Sequence, residues 1–337
     1  MSCTTAIHGR SEKTPPIAYQ TIETRDVFQQ AECLRKWEQN YIQIGGGTFS
    51  GLLKELSLGG IQLFRESMDK AVDEQGKPWP NSFAIGVPVE VVGDGYWCGD
   101  RLSRNSIFSL RPNSELKFRT PDYSDIYVAV LDIDSLESYS DLIEETSLER
   151  ILTLSGVEEV PERLSDAFRA SFDSVLQSIE SNPGILDSGL SQRVLLNDLM
   201  QHVFGALVAL NRIEPHGRRQ FVHRYIVERA REYILSRKEE PPTVLEICQE
   251  LKVSRRTLHY GFIKVLGINP VTFLRYLRLN GARQDLLSSD ALTIGEIAAR
   301  WGFWHMGMFA SYYRQLFGET PSATLRSKPE PHVVCWN

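Results

Sequence analysis

One pattern occurs twice near the C-terminus, as ICQELKVSRRTLHYGF at residues 247–262 and as IAARWGFWHMGMFASYY at residues 297–313. In each copy an apolar pair at i and i+4 marks a helix, a turn follows, and a second such pair marks another helix. The corresponding apolar positions are Ile247, Leu251, Val253, Leu258 and Phe262 in the first copy, and Ile297, Trp301, Phe303, Phe309 and Tyr313 in the second. This order is typical of a helix-turn-helix, so the sequence predicts two such units in an all-α C-terminal domain.

The turn residues support this interpretation. Gly302 lies where the chain must reverse sharply and can adopt a positive φ, whereas Lys252 holds that position in the first copy and predicts a strained turn there. Cys248 and Ala298 supply the small side chains that let two helices cross closely. Ser254 is placed to cap the second helix of the first unit.

The outward positions of that second helix carry groups that can read bases or bind phosphate. Arginine binds guanine bidentately, and Thr and His can hydrogen-bond base edges. The candidates in the first unit are Arg255, Arg256, Thr257, His259, Tyr260 and Lys264. The second unit is poorer in hydrogen-bonding groups, so we expect mainly apolar or phosphate contacts from His305, Met306, Gly307, Ser311 and Arg314. On a generic helix the same residues would form a solvated face.

Between the two units, Pro270 is placed to open a long helix, VTFLRYLRLNGARQDLL at residues 271–287. Such a helix spans roughly 25 Å at 1.5 Å per residue. One turn of DNA is about 34 Å, so two recognition helices held by this spacer could enter one face of a duplex one turn apart.

The charge is distributed unevenly along a chain whose total is −6. Residues 219–326 hold 16 Lys and Arg against 10 Asp and Glu, while residues 1–218 hold 20 against 32. A basic C-terminal part can attract phosphates, and an acidic partner domain would limit non-specific DNA binding.

The rest of the chain predicts an α+β protein. Short apolar runs separated by Gly-rich turns follow Tyr41 and predict strands of a small sandwich or an open, cupin-like barrel. Helical spacing then replaces them, and its apolar face packs either on the β core or, as we favour, against a second copy in a homodimer. We divide the chain into a flexible tail at 1–20, a β-rich sensor domain at 21–139, a helical association and linker segment at 140–217, a DNA-binding domain at 218–326 and a tail at 327–337.

A sensing role requires a pocket with a few fixed polar groups, and the β-rich domain is the place where we expect it. Alternation places Gln62, Phe64 and Glu66 on one face of a strand and predicts the same for Trp79, Asn81 and Phe83 in the next segment. Glu66 could pair with a cationic amine over which Trp79 or Trp97 stacks. The alternative is that the aromatic residues are core and that Glu66 is a surface charge.

Other classes of protein are disfavoured. The seven histidines include none between Tyr41 and Ile133, and the five cysteines are scattered singly, so we expect neither a barrel metal enzyme nor a zinc site. We see no arrangement for nucleophilic catalysis and expect no enzyme and no tightly bound cofactor. The absence of a long apolar window and of a secretory pattern predicts a cytoplasmic protein without membrane contact.

The stretch from about Val222 to Arg326 resembles the DNA-binding domain of the AraC/XylS regulator family. The specific part is IAARWGFWHMGMFASYYRQLFGETPSATLR at residues 297–326, which matches at Ile297, Ala298, Gly302, Phe303, Phe309, Phe317, Gly318, Pro321 and Arg326. Ser311 departs from the arginine often found there, which puts a strong base contact from the second unit in doubt. The resemblance implies a sequence-specific, effector-dependent regulator of promoter DNA, more often an activator, with RNA polymerase as a partner.

A narrower resemblance connects the chain with regulators of ethanolamine utilisation. It is carried by GTFSG, IQLFRE, WPNSFAIGVP, VSRRTL and WGFWH. It implies ethanolamine and adenosylcobalamin as effectors of a catabolic operon. Two alternatives remain open, a regulator of another pathway with a different effector, and a ligand-independent DNA-binding protein whose N-terminal half merely dimerises. Effector-dependent DNA affinity separates them.

Overall fold

Antiparallel strands build the N-terminal part of the chain, in a computed structural model that describes residues 17–143, 156–211, 221–237, 240, 242–288, 292–327 and 332–336. The strands are β1 Ala18–Thr24, β2 Glu38–Gln43, β3 Gly51–Leu58, β4 Ile61–Met68, β5 Val72–Lys77, β6 Ser82–Val92, β7 Gly95–Trp97, β8 Asp100–Leu102, β9 Ser106–Leu110, β10 Leu116–Arg119, β11 Tyr123–Asp132, β12 Gly156–Glu159 and β13 His332–Trp336. The predicted β-rich N-terminal region is therefore confirmed.

These strands form two sheets. Within the described ranges, a sheet of eight strands has the order β12-β9-β6-β11-β4-β3-β1-β13, and a sheet of five has the order β2-β5-β10-β7-β8. The centre of the larger sheet is continuous, since β4 pairs with β11 from Ile61 opposite Leu131 to Met68 opposite Ser124. Strands of this length, buried on both faces, give the domain a rigid frame.

An apolar core lies between the two sheets. Trp97 from the smaller sheet packs on Phe108 and Phe118, with ring centroids 4.3 and 5.3 Å apart, and its indole N–H donates to the Ser109 carbonyl at 3.1 Å. The larger sheet contributes Leu53, Phe64, Ala84, Ile126, Val128 and Val130 to the same core. Trp97 is therefore a core residue with a satisfied N–H.

Helices cover the outer face of the larger sheet. They are α2 Ile133–Ile143, α3 Glu162–Ser181 and α4 Gly189–Asn211. Their buried side chains join those of the sheet in one cluster, which includes Leu63, Phe83, Ile85, Phe168, Phe172, Val175, Leu199, Val203 and Leu207. The expectation that this apolar face binds a second copy is wrong, because the chain's own sheet buries it. The homodimer itself stays a prediction.

Three segments differ from the predicted boundaries. The first strand begins at Ala18 and so takes up part of the expected tail, and a short helix, α1 Val27–Cys33, is inserted after it. The C-terminal tail contains β13, which pairs with β1. The predicted linker signals Pro215 and Gly217 lie outside the described residues.

The C-terminal part is helical, with α5 Phe221–Leu235, α6 Val244–Leu251, α7 Arg255–Leu266, α8 Pro270–Ser288, α9 Ile294–Arg300, α10 Met306–Phe317 and α11 Pro321–Arg326. We call α6 and α7 the first helix pair and α9 and α10 the second helix pair. Both pairs open with the same capping box, Thr243 with Glu246 and Thr293 with Glu296. None of the helices in the described part is long and apolar enough to cross a membrane.

The packing of α3 on the sheet is testable with Phe172→Ala. Phe172 is fully buried, so its truncation should lower the free energy of unfolding by about 3–5 kcal/mol. Ser174→Ala, at an exposed position of the same helix, is the control and should change it by less than about 0.5 kcal/mol. Denaturant titration measures both, and a loss below about 1 kcal/mol for Phe172→Ala would contradict the packing.

Candidate functional site

The turn inside each helix pair contains a left-handed residue. Lys252 has φ 52° and Gly302 has φ 75°. The glycine adopts this conformation freely, whereas the lysine carries a steric cost, as predicted from its side chain. After the first turn, Ser254 Oγ accepts the Thr257 N–H at 3.1 Å and so caps α7 as the sequence indicates.

One face of α7 is core and the opposite face is open. Leu258 and Phe262 are fully buried, and the ring of Phe262 packs against Phe273 of α8 at 5.5 Å. The predicted DNA-contacting residues that are exposed are Arg255, Arg256, His259, Tyr260 and Lys264. Thr257 is only half-exposed, and its hydroxyl lies 2.8 Å from Ser254 Oγ, so it belongs to the cap more than to the open face.

The two arginines at the start of α7 are available to a ligand. Within the described ranges neither Arg255 nor Arg256 pairs with a carboxylate. The Arg256 guanidinium lies 5.4 Å from the centroid of the Tyr260 ring, which restricts the directions in which it points. A guanidinium held in this way at a helix surface can bind a guanine edge or a phosphate.

The corresponding face of α10 is more apolar. Phe309 and Tyr313 are buried, and His305, Met306, Gly307, Ser311 and Arg314 are exposed. Sequence reasoning missed Trp304, which is 79% exposed beside Met306 and Met308. The signal was present, since the second copy carries one extra residue between Phe303 and Phe309, and that insertion sets Trp304 outside the core.

Helix α8, which joins the two helix pairs and is called the linker helix below, contacts the β-rich domain through polar side chains. Asn280 accepts the Gln43 N–H and donates to the Gln43 carbonyl, both at 3.0 Å. The Gln43 side chain in turn donates to the carbonyl of Leu316 in α10 at 2.8 Å. These bonds leave little freedom for α8 and α10 against β2, because each is buried and would be costly to leave unmade.

Three ion pairs of two buried arginines reinforce this arrangement. Arg283 Nε lies 2.6 Å from Asp26 Oδ2, and Arg283 Nη1 lies 2.7 Å from Glu319 Oε1. Arg231 Nη2 lies 2.6 Å from Asp73 Oδ2 at the smaller sheet. Burial raises the pKa of Asp73, and the neighbouring Arg231 opposes that rise. Sequence reasoning missed these pairs, because a charged residue in a long helix is usually solvated.

A second group of polar side chains is buried inside the β-rich domain. Glu66 is 2% exposed and accepts hydrogen bonds from Gln30 Nε2 at 2.8 Å and from the Tyr41 hydroxyl at 3.2 Å. Burial raises the pKa of Glu66 to about 7, and burial beside Glu66 holds the pKa of Glu74 well above its usual range. The alternative interpretation of Glu66 as a surface charge is therefore wrong.

The structure does not bring the seven predicted sensor residues together. Gln62, Phe64 and Glu66 do share the inner face of β4 as predicted, and Trp37 both hydrogen-bonds Gln62 and packs against Phe64. Trp97 belongs to the apolar core between the sheets. Phe83 lies on the opposite, helix-covered face.

The predicted alternation of Trp79, Asn81 and Phe83 fails for a local reason. Strand β6 begins only at Ser82, and Asn81 has φ 57°, so Trp79 and Asn81 lie in a turn where strand periodicity does not apply. Trp79 is half-buried with the Lys36 amine 4.9 Å from its ring centroid.

Comparison with known proteins finds similarity in the C-terminal part of the chain. Residues 247–327 match the model of a helix-turn-helix domain. The probable thc operon regulatory protein of Rhodococcus erythropolis is 42% identical over 106 residues, which are 31% of this chain and 32% of that protein. The HTH-type transcriptional regulator CdhR of Pseudomonas aeruginosa is 33% identical over 178 residues, which are 47% of this chain and 53% of that protein. The chain thus spans about a third to a half of the length of these relatives.

Among solved structures, a transcriptional regulator with an AraC-type DNA-binding domain from Chromobacterium violaceum is 32% identical to this chain. The match covers 31% of this chain and 92% of that structure's chain, with a TM-score of 0.30. The relatives are regulatory proteins by name, and the expectation that this chain is not an enzyme stays a prediction. Through residues 247–327 the chain is therefore similar to helix-turn-helix domains, and the relatives that it matches there are regulatory proteins by name.

Proposed function

We propose that the chain binds promoter DNA in a sequence-specific manner and regulates transcription of a catabolic operon, with α7 and α10 as recognition helices. The observation that carries this proposal is the open face of α7, where Arg255, Arg256 and His259 point to solvent from a helix whose other face is core. Such a face presents bidentate and single donors at the spacing of base edges in the major groove.

In this proposal each helix pair is a complete helix-turn-helix unit, and α8 sets the distance between them. The 19 residues of α8 span about 28 Å at 1.5 Å per residue. That length suits two recognition helices entering successive major grooves about 34 Å apart on one face of a duplex.

The two recognition helices would contact the bases in different ways. The first offers arginine and histidine for hydrogen bonds to bases, and the second offers Trp304 and Met306 for apolar contacts. The methyl group of thymine is the apolar feature of the major groove, so the second half-site should prefer thymine where these side chains approach. His305 and Arg314 remain for phosphate.

We also propose that a small cationic amine acts as effector in the polar interior, where Glu66 is the acceptor. An amine would replace the Gln30 amide at the Glu66 carboxylate, and a charged partner would favour the ionised form of that acid. Ethanolamine has this chemistry. Adenosylcobalamin as a second effector, activation through contact with RNA polymerase, a homodimeric state and a cytoplasmic location complete the proposal on the basis of the family resemblance.

An effector at Glu66 would be linked to the DNA-binding domain through two short paths. Gln30 belongs to α1, whose N-cap residue Asp26 binds Arg283. Tyr41 belongs to β2, whose Gln43 binds Asn280. Both paths end on α8. The two other candidate functions are a family member with a different effector and a ligand-independent DNA-binding protein, and neither requires an amine at Glu66.

The DNA-binding proposal is tested with Arg256→Ala. Duplexes selected from a random library by the full-length protein supply the site, and the variant should lose about 1–3 kcal/mol of specific binding free energy and relax base preference at one position. Arg229→Ala removes an exposed charge from α5 and is the control with unchanged preference. A uniform loss of affinity over all sequences would assign Arg256 to phosphate and contradict base readout.

The effector proposal is tested by thermal unfolding with ethanolamine and adenosylcobalamin, singly and together. A ligand bound only by the native state stabilises it by about 2.7 kcal/mol at a concentration 100 times its Kd. We expect ethanolamine to raise the midpoint of the wild type and not that of Glu66→Gln. Equal midpoint shifts in both proteins would remove Glu66 from the site, and no shift with either compound would remove both as effectors.

A further inference from the structure

A cleft of about 270 Å³ lies where the two helix pairs meet the linker helix. One wall is the start of the first pair at Thr243, the other is the turn of the second pair at Gly302, and the floor is α8. The lining residues include Thr243, Leu274, Arg275, Arg278, Gly302 and Phe303. The cleft therefore touches both units at once.

Arg278 lines this cleft, and one nitrogen of its guanidinium lacks a hydrogen-bond partner. Its Nε atom is buried and makes no hydrogen bond, and burial lowers the pKa of the guanidinium. Within the described ranges no carboxylate pairs with it. Arginine keeps its charge at neutral pH, so this half-buried group is a partly desolvated cation that an anion would stabilise.

Arg275 places a second cation one helical turn away on α8. Its guanidinium lies 4.2 Å from the ring centroid of Tyr312, which holds the side chain in place. On the wall formed by the first pair, Glu246 folds back on Thr243, accepting its N–H at 2.7 Å and its hydroxyl at 2.8 Å. That carboxylate is thereby engaged in the capping box at the start of α6.

The opposite wall leaves room for a ligand close to Arg278. Gly302 has no side chain, and a Cβ built on it would lie 3.8 Å from Arg278 Nη1. The positive φ of Gly302 reserves this position for glycine or, at a cost, a small residue. At Gly302 the wall therefore carries no side chain that would cover the guanidinium.

We propose that this cleft binds a phosphate of the DNA backbone between the two grooves, with Arg278 and Arg275 as the phosphate-contacting residues. The inference rests on the proposed function, because α7 and α10 must occupy the flanking grooves for the intervening backbone to reach α8. A bidentate guanidinium suits phosphate oxygens. The contact would fix the register of both units on the duplex without reading sequence.

The test is the salt dependence of binding to a selected duplex and to a random one. Each phosphate contact contributes about −0.9 to the slope of log K against log salt, so Arg278→Gln should make the slope shallower by about 0.9 on both duplexes and weaken binding roughly tenfold at 0.1 M salt. Arg278→Lys keeps the charge and should keep most of the slope. Arg229→Gln, with an equal loss of charge on α5, should leave the slope unchanged.

A wild-type slope in a folded Arg278→Gln protein would overturn the proposal. Inorganic phosphate serves as a second probe. Phosphate could raise the thermal midpoint of the wild type and not that of Arg278→Gln, while the two proteins show equal slopes of log K against log salt for DNA. In that case the cleft binds a free anion and the assignment to DNA is wrong. If the wild type binds DNA and Arg256→Ala loses base preference, the proposed function stands. An unchanged salt slope for Arg278→Gln then contradicts only the phosphate site in the cleft. If the wild type binds no duplex, the proposed function fails and this inference fails with it.

Discussion

The guanidinium of Arg283 is the point on which the arrangement of this molecule depends. It is 8% exposed and joins Asp26 of the β-rich domain, Glu319 beyond the second helix pair, and the Tyr313 hydroxyl in the core of that pair. Replacing a buried pair by apolar groups is often neutral, whereas removal of one partner costs about 3–5 kcal/mol because the other charge stays buried and unpaired. The cluster therefore specifies one docking of the linker helix and penalises its loss.

Under the proposed function that specification matters, because DNA reading by two units requires a fixed distance and angle between them. Asp26 contributes twice, since one carboxylate oxygen caps α1 at the Phe28 N–H and the other binds Arg283. Gln30 of the same helix binds Glu66 in the interior. Allosteric coupling in proteins is typically 1–3 kcal/mol, which is the range that one rearranged buried hydrogen bond or ion pair can supply.

Local signals carried the sequence-based predictions that held. The cap at Ser254, the turn at Gly302 and the start of α8 at Pro270 each depend on neighbouring residues only. Predictions that depended on distant partners were less successful. An amphipathic stretch shows that α3 is buried but not that the chain's own sheet buries it. Nothing near Arg283 or Asn280 in the sequence indicates partners some 240 to 260 residues away. Trp79 and Asn81 were misplaced because β6 begins only at Ser82, after both of them.

Hydroxyl-radical footprinting of the full-length protein on a selected duplex tests the central claim most directly, namely that both helix pairs grip one duplex at a spacing set by α8. The account predicts, for each bound chain, two protected patches on the same face of the DNA, with centres about one helical turn or 10 base pairs apart. A single protected patch per chain, or two patches on opposite faces, would contradict it.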